Sequence, residues 1–143
     1  MKKIFVDTNI VLDLLAKRKL FYQPAAHLFT IADRGRVEIN VSALTFGTLF
    51  YLLSKENGQD RAKKILLKFK SLVTVLQVDN KIIELALSSD FKDFEDGIQY
   101  FCAIENKCIA LLTRNLSDYK NCDIPVLTAE SFLKAFGCNL KYG

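Results

Sequence analysis

Four side chains that carry oxygen donors, Asp7, Asp96, Asn115 and Asp118, stand where an α/β chain can do chemistry. Asp7 directly follows the apolar run Lys3-Ile4-Phe5-Val6. Asp96 lies early in a helical stretch, within Asp93-Phe94-Glu95-Asp96-Gly97. Asn115 and Asp118 directly follow the apolar segment Ile109 to Thr113. In an open parallel sheet, ligands collect at the carboxyl ends of the strands, so three separate segments deliver oxygen ligands to one edge. Carboxylates crowded together raise one another's pKa, and such a cluster is costly unless a cation sits among them. Hard oxygen donors without His or Cys select Mg²⁺ or Mn²⁺. A metal so held binds a phosphodiester oxygen, helps deprotonate a water near neutral pH and stabilises the charge of the breaking bond. Metal-assisted phosphodiester hydrolysis is the chemistry these residues point to.

Each acid also has a plainer reading. An Asp at a strand end commonly caps the next helix. Taken singly, Asp7, Asp93 and Asp118 would be caps or loop acids, and only their coincidence at one end of the expected sheet favours a site.

The elements that must position these residues follow from periodicity. Lys3 to Val6, ending at an acid, reads as a central strand buried on both faces. Asn9 to Leu15 and Pro24 to Arg34 carry apolar residues three and four apart and are expected as helices, with Gly35 as a stop. Val37 to Val41 is a second strand. Ser42 or Thr45 offers an N-cap to an apolar helix that ends at Asn57-Gly58, and a further helix spans Gln59 to Phe69. Val73 to Val78 is expected as a third strand, followed by a helix from Asn80 to Leu87. Asp93 to Glu105 is helical by spacing, Ile109 to Thr113 and Val126-Leu127 are strands, and Thr128 caps a last helix ending near Gly137. Strands alternating with helices imply a parallel sheet covered on both sides.

With 143 residues, half of them hydrophobic, the chain is expected to form one domain over residues 1–143. No apolar run approaches the roughly 20 residues of a membrane-spanning helix, and Asp7 interrupts the N-terminal apolar stretch too early for a secretory signal. A cytoplasmic protein with no membrane association is expected. Cys102, Cys108, Cys122 and Cys138 form no C-x-x-C pair, and the only histidine, His27, is far from them in sequence, so neither a zinc site nor a disulfide framework is suggested. Cys102 reads as a reduced core thiol, and His27 as a packing or surface residue. The net charge of +4 permits nucleic-acid binding without demanding it. The densest basic stretch, Arg61, Lys63, Lys64, Lys68 and Lys70, alternates with apolar residues and reads as a solvated helix face, with a phosphate-contacting patch as the other reading.

The series Ile4-Phe5-Val6-Asp7-Thr8-Asn9-Ile10, Val41-Ser42-Ala43-Leu44-Thr45, Asp93-Phe94-Glu95-Asp96-Gly97-Ile98-Gln99-Tyr100 and Leu112-Thr113-Arg114-Asn115 with Asp118-Tyr119 resembles the PIN domain over nearly the whole chain. The resemblance implies a three-layer α/β/α sandwich with a central parallel sheet, and Mg²⁺- or Mn²⁺-dependent ribonuclease activity as in VapC toxins of toxin–antitoxin pairs. Carried over by position, it makes Asp7, Asp96 and Asp118 metal ligands, with Asn115 completing the site. Thr8 and Asn9 would shape the loop around Asp7 and hydrogen-bond its carboxylate, and Asp93 stands beside them as a supporting acid. The resemblance further implies RNA as substrate and an antitoxin protein that inserts a basic side chain into the acidic pocket. Homodimerisation, common in the family, would bury an excess of apolar surface at Phe21, Tyr22, Phe46, Phe50 and Tyr51.

One departure stands out. The family usually places a glutamate early in the helix after the second strand, where this chain has Thr48. The next glutamate, Glu56, lies roughly 12 Å further along a helix and cannot easily substitute. A neutral hydroxyl leaves the pocket one negative charge short. The sequence therefore supports an active metal-dependent ribonuclease, or a catalytically weakened PIN fold that binds RNA or a protein without cutting. A phosphotransfer enzyme with Asp7 as nucleophile fits less well. Haloacid-dehalogenase-like phosphatases resemble this chain in having an Asp after the first strand, but their second acid, two residues on, is Asn9 here. No glycine-rich phosphate loop or dinucleotide fingerprint appears either.

Overall fold

The structure, a computed structural model, describes residues 1–137. Its elements are β1 (Lys2–Val6), α1 (Thr8–Leu15), α2 (Tyr22–Asp33), β2 (Val37–Ser42), α3 (Ala43–Asn57), α4 (Gln59–Lys70), β3 (Thr74–Leu76), α5 (Asn80–Leu87), α6 (Phe94–Glu105), β4 (Ala110–Leu112), β5 (Val126–Leu127) and α7 (Ala129–Ala135), with a short 3-10 turn at Leu116–Asp118. The strands form a five-stranded sheet in the order β3-β2-β1-β4-β5. Every pairing is parallel, and β1 lies at the centre, with Ile4 opposite both Ile39 and Ala110.

Side chains alternate across this sheet with period two, which builds two cores. Ile4, Val6, Ile39, Val41 and Leu112 face one way, against Val11, Leu28, Leu49, Phe69 and Leu133 from α1, α2, α3, α4 and α7. Phe5 and Leu111 face the other way, against Ile82 of α5 and Ile98 and Cys102 of α6. The result is a three-layer α/β/α sandwich. Because both faces are covered, β1 and β4 read as continuous apolar runs rather than alternating ones.

Differences from the sequence expectation lie at edges and ends. The third strand is confined to Thr74–Leu76 rather than Val73 to Val78, because as an edge strand it pairs with β2 alone, at Asn40–Ser42. Its chain then leaves the sheet to place Asp79, whose carboxylate caps α5 by accepting from Ile82 N–H. Ser42 holds the N-cap position of α3 but its hydroxyl makes no cap bond, while the hydroxyl of Thr45, one turn on, turns to Thr8 at 3.0 Å. The chain from Leu116 to Asp118, read as loop, is a single 3-10 turn.

The basic residues of α4 all face solvent, as a solvated helix face requires. Phe46 and Phe50 pack against the larger core, whereas Tyr51 is 58% exposed and Phe21 39%. Burial pushes the Cys102 thiol up to about 12 and that of Cys108 up to about 11, which suits inert core thiols. Cys138 lies outside the described residues. No helix among the described residues is long and apolar enough to cross a membrane.

The sheet centre carries the stability. Leu112 is fully buried between β1 and β5 and against the helices of the larger core. Leu112→Ala is expected to lower unfolding free energy by about 2–5 kcal/mol in urea titrations; a loss under about 1 kcal/mol would mean that the cavity collapses without cost.

Candidate active site

Strand order reverses between β1 and β4, so the crevice above their carboxyl ends is the topological switch point of the sheet. Asp7 sits there, its own N–H bonded to the carbonyl of Leu112 at 2.9 Å. It occupies the N-cap position of α1, yet its side chain makes no cap bond. The plain reading of this residue, a helix cap, is therefore not what the carboxylate does.

Instead that carboxylate, 6% exposed, is surrounded by donors from four segments of the chain. Gln99 Nε2 donates to Oδ1 at 2.9 Å and Thr113 Oγ1 to Oδ2 at 2.8 Å. Asn9 Nδ2 and the Tyr119 hydroxyl lie 3.3 Å from Oδ2. Thr113 directly follows β4, Gln99 is buried in α6 and Tyr119 follows the 3-10 turn. Gln99 is fully used: its second N–H donates to the Tyr119 oxygen at 2.9 Å, and its carbonyl accepts Thr8 N–H at 3.2 Å and Thr8 Oγ1 at 3.3 Å. Since the Thr8 proton points to Gln99, Thr45 donates to Thr8. A chain of neutral groups thus runs from α3 through α1 to α6 and ends on Asp7.

Asp96 approaches from the other side. Its N–H is capped by the Asp93 carboxylate at 3.0 Å, which gives Asp93 the role of α6 N-cap. The Tyr119 hydroxyl lies 3.3 Å from Asp96 Oδ1, the same distance as from Asp7. One phenolic proton stands between two carboxylates. Burial, followed by the two carboxylates, pushes the Tyr119 phenol well above its ordinary value, so that proton stays on oxygen. Desolvation first, then the charges of Asp93, Asp7 and Asp118, push Asp96 up from 3.8 to about 7, only partly opposed by the Tyr119 bond.

The sequence-expected residues divide accordingly. Asp7 and Asp96 come together through Tyr119, and Asp118, exposed on the 3-10 turn, is near enough for its charge to raise Asp96. Asn115 is exposed and caps Thr113 with its backbone N–H, 3.0 Å from Oγ1. Asn9 bonds the Asp7 carboxylate, whereas Thr8 bonds Gln99 and Thr45. Thr48 donates at 3.0 Å to Glu95, a carboxylate that α6 brings to the α3 position where the acid is missing. The expected sharing of one cation by Asp7, Asp96 and Asp118 is not preformed: among the described residues no three His, Cys, Asp or Glu side chains are grouped to hold a metal ion. The Tyr119 hydroxyl stands between the first two acids, 3.3 Å from an oxygen of each.

Three residues escaped the sequence reading. Gln99 and Thr113 are neutral, and Tyr119 looks like an apolar neighbour of Asp118. The available signal was Gln99, an amide one turn after Asp96 on the otherwise apolar face of α6.

The site opens onto a cleft of about 730 Å³ that Asp93, Asp96 and Asp118 line together with Tyr100, Lys92 and Lys120. Asp7 lies behind it. The donors are all hard oxygens, and Asp7 and Asp96 approach one hydroxyl from two sides, so the residues present fit a divalent cation held at Asp7 and Asp96.

The sequence pattern of the family described as PIN domain matches residues 3–117. The chain belongs to the PIN domain family. Ribonuclease VapC1 of Aquifex aeolicus (strain VF5) is 31% identical over 139 residues, spanning 92% of this chain and 93% of that protein. Among solved structures, DNA-bound VapBC from Salmonella typhimurium superposes with a TM-score of 0.69 at 17% identity, over 90% of this chain and 99% of that one. A toxin–antitoxin complex from Klebsiella pneumoniae superposes with a TM-score of 0.66 at 22% identity, over 88% and 97%. Mycobacterium tuberculosis VapC20, described as a sarcin-ricin loop cleaving toxin, gives 0.60 at 19% identity, over 76% and 86%. At these identities the superpositions show a shared PIN fold.

The charge at Asp96 makes a stability prediction. In the folded, metal-free protein Asp96 keeps its proton up to about pH 7, whereas in the unfolded chain it loses it near 3.8. Folding therefore takes up a proton between those values, and raising pH through that window costs stability. Asp96→Asn, which cannot ionise, is expected to melt within a degree or so of wild type near pH 4, and progressively above it as pH rises to 8, by calorimetry in EDTA. A difference that does not vary with pH would contradict the raised pKa of Asp96.

Proposed function

We propose that this protein is a metal-dependent ribonuclease that hydrolyses RNA phosphodiester bonds, of the kind that serves as the toxin of a toxin–antitoxin pair. The observation that carries the reading is the buried Asp7 carboxylate at the sheet's switch point, oriented by donors from four segments of the chain and placed beside a second acid, Asp96. Similarity to Ribonuclease VapC1 along almost the whole of both chains supports RNA as substrate. The likeness in fold to VapBC complexes supports an antitoxin protein as partner.

Asp7 and Asp96 would hold the cation, Mg²⁺ or Mn²⁺, with Asp118 joining from the cleft wall. The ion would supply stabilisation of the charge that builds on the phosphate as the ester bond breaks. The protein's own groups do the rest. Gln99, Thr113 and Asn9 fix the orientation of Asp7. Tyr119 keeps its proton between the two acids. Lys92 and Lys120 on the cleft wall offer positive charge to an RNA backbone that the carboxylates alone would repel.

Thr48 favours a second reading, a PIN fold that binds without cutting. Against it stands Glu95, whose carboxylate is held by Thr48 and returns a negative charge to that face of α3. A cleavage assay with Mn²⁺ on single-stranded and structured RNA decides between them. Wild type is expected to cut, Asp7→Asn to lose roughly 100-fold or more, and Gln99→Leu to lose about 10- to 100-fold through misorientation of Asp7. If wild type and Asp7→Asn are equally inert while Thr48→Glu gains metal-dependent cutting, the binding-only reading holds. Cleavage that survives both chelation and Asp7→Asn would end the metal-nuclease proposal.

A further inference from the structure

At the end of the sheet opposite the catalytic crevice, the chain gathers positive charge. Lys2 and Lys3 open β1, Arg36 directly precedes β2, and Lys107 stands between α6 and β4, so cations sit at the amino ends of three adjacent parallel strands. Together they line a hollow of about 660 Å³ over Ile109 and Phe136. All four are exposed, and none forms an ion pair with a described residue. The acids near them answer little of this charge: Glu105, at the end of α6, pairs with Lys81 at 3.1 Å, and Glu38 stands opposite Lys3 alone in the β1–β2 register. Two of the cations are held in place. Lys2 Nζ and the Arg36 guanidinium carbon lie 5.5 and 5.4 Å from the Phe136 ring centre, and that ring stacks on the buried Phe132 at 5.3 Å. Cations positioned this way lose less freedom on meeting an anion than loose side chains would.

Charge is thus divided along the strand direction. The carboxyl ends hold Asp7, with Asp93, Asp96 and Asp118 lining the cleft in front of it, and the amino ends hold the four cations. Lys2 opens β1 and Asp7 follows its end, so the two poles are roughly 17 Å apart at about 3.3 Å per residue. A polyanion that enters the acidic cleft is opposed by its carboxylates, and the other pole answers the charge of the part that extends beyond it. Phe136 already carries Phe132 and two cations, so it offers no free platform to a base. The hollow therefore reads charge rather than sequence, as contacts to a phosphate backbone do.

We propose that this hollow binds the phosphate backbone of RNA, anchoring a stretch of the substrate remote from the bond that is cut. The inference rests on the ribonuclease reading for its substrate class. It assigns Lys2, Lys3, Arg36 and Lys107 to affinity for long RNA rather than to chemistry, and the anchoring needs no metal, because cations of the chain itself make it.

The test measures binding of a fluorescent 24-mer RNA to the full chain in EDTA over a range of salt, with cleavage of the 24-mer and of a tetramer in Mn²⁺ followed in parallel. A tetramer, roughly 14 Å long at about 3.4 Å per nucleotide, is too short to go round the domain from one pole to the other. Lys2→Gln/Arg36→Gln/Lys107→Asn is expected to bind the 24-mer about tenfold more weakly near 0.1 M salt and to lower the salt slope by about 2, while cutting the tetramer at the wild-type rate. Lys107→Asn alone, which fits the left-handed backbone at φ 59° and so spares the fold, is expected to lower the slope by about 0.7. The comparison is Lys63→Gln/Lys64→Gln/Lys68→Gln on the solvated face of α4, which removes the same charge and is expected to bind nearly as wild type does. Equal weakening by the two triple variants would show net charge alone at work and overturn the proposal, as would a slope unchanged by Lys107→Asn. Polyglutamate of matched charge that displaces the 24-mer as well as unlabelled RNA does would assign the pole to an acidic protein and also overturn it. If no RNA is cut yet the slopes fall as expected, the ribonuclease reading fails and the anchoring stands; if cutting persists while both triple variants bind alike, the reverse holds.

Discussion

The structure depends on one buried carboxylate being held open to its neighbours rather than closed onto its own helix. Asp7 stands where a cap belongs, and a cap would satisfy α1 at no further cost. The chain instead directs Gln99, Thr113, Asn9 and Tyr119 to it, residues from α6, from the exit of β4, from α1 itself and from the segment after the 3-10 turn. Such an arrangement needs β1 and β4 adjacent in register, with Val6 opposite Leu112 and Asp7 bonded to the same strand. It needs α6 to present its amide face inward. The parallel sheet and its two cores are the means by which these distant residues keep their places.

Electrostatics turn that scaffold into a site. Two acids separated by one phenol are a poised arrangement: the Tyr119 proton screens them from each other, yet Asp96 still carries the cost as a raised pKa. A divalent cation would relieve that crowding, while Asp93 also caps α6 by accepting the N–H of Asp96. On the other flank of α1 the charges are balanced, Asp13 by Arg114, and what is left over there is a single acceptor oxygen.

Much of this was legible in the sequence. Apolar runs of β1 and β4, helical spacing in α2, α4 and α6, and the cap at Thr128 follow from local patterns, and the order of elements implies the parallel sheet. Edges were less legible: β3 is short because only one neighbour pairs with it, which periodicity cannot reveal. At the site, Asp7 and Asp96 could be picked out because strand ends and helix starts are marked by local chemistry. Gln99 and Tyr119 could not, since their partnership with Asp7 spans 92 and 112 residues. A lone glutamine on an apolar helix face or a tyrosine after an acid looks like packing. The pairing of Thr48 with Glu95 across 47 residues was hidden for the same reason, although it bears directly on the acid that position 48 lacks.

The account requires that positive charge settle between Asp7 and Asp96. Anomalous diffraction from crystals soaked in Mn²⁺ tests this directly. A peak within about 2–2.5 Å of a carboxylate oxygen from each of these two residues, with the Tyr119 hydroxyl moved aside, is the predicted result. A peak elsewhere on the surface, with Tyr119 still bridging the two acids, would contradict it.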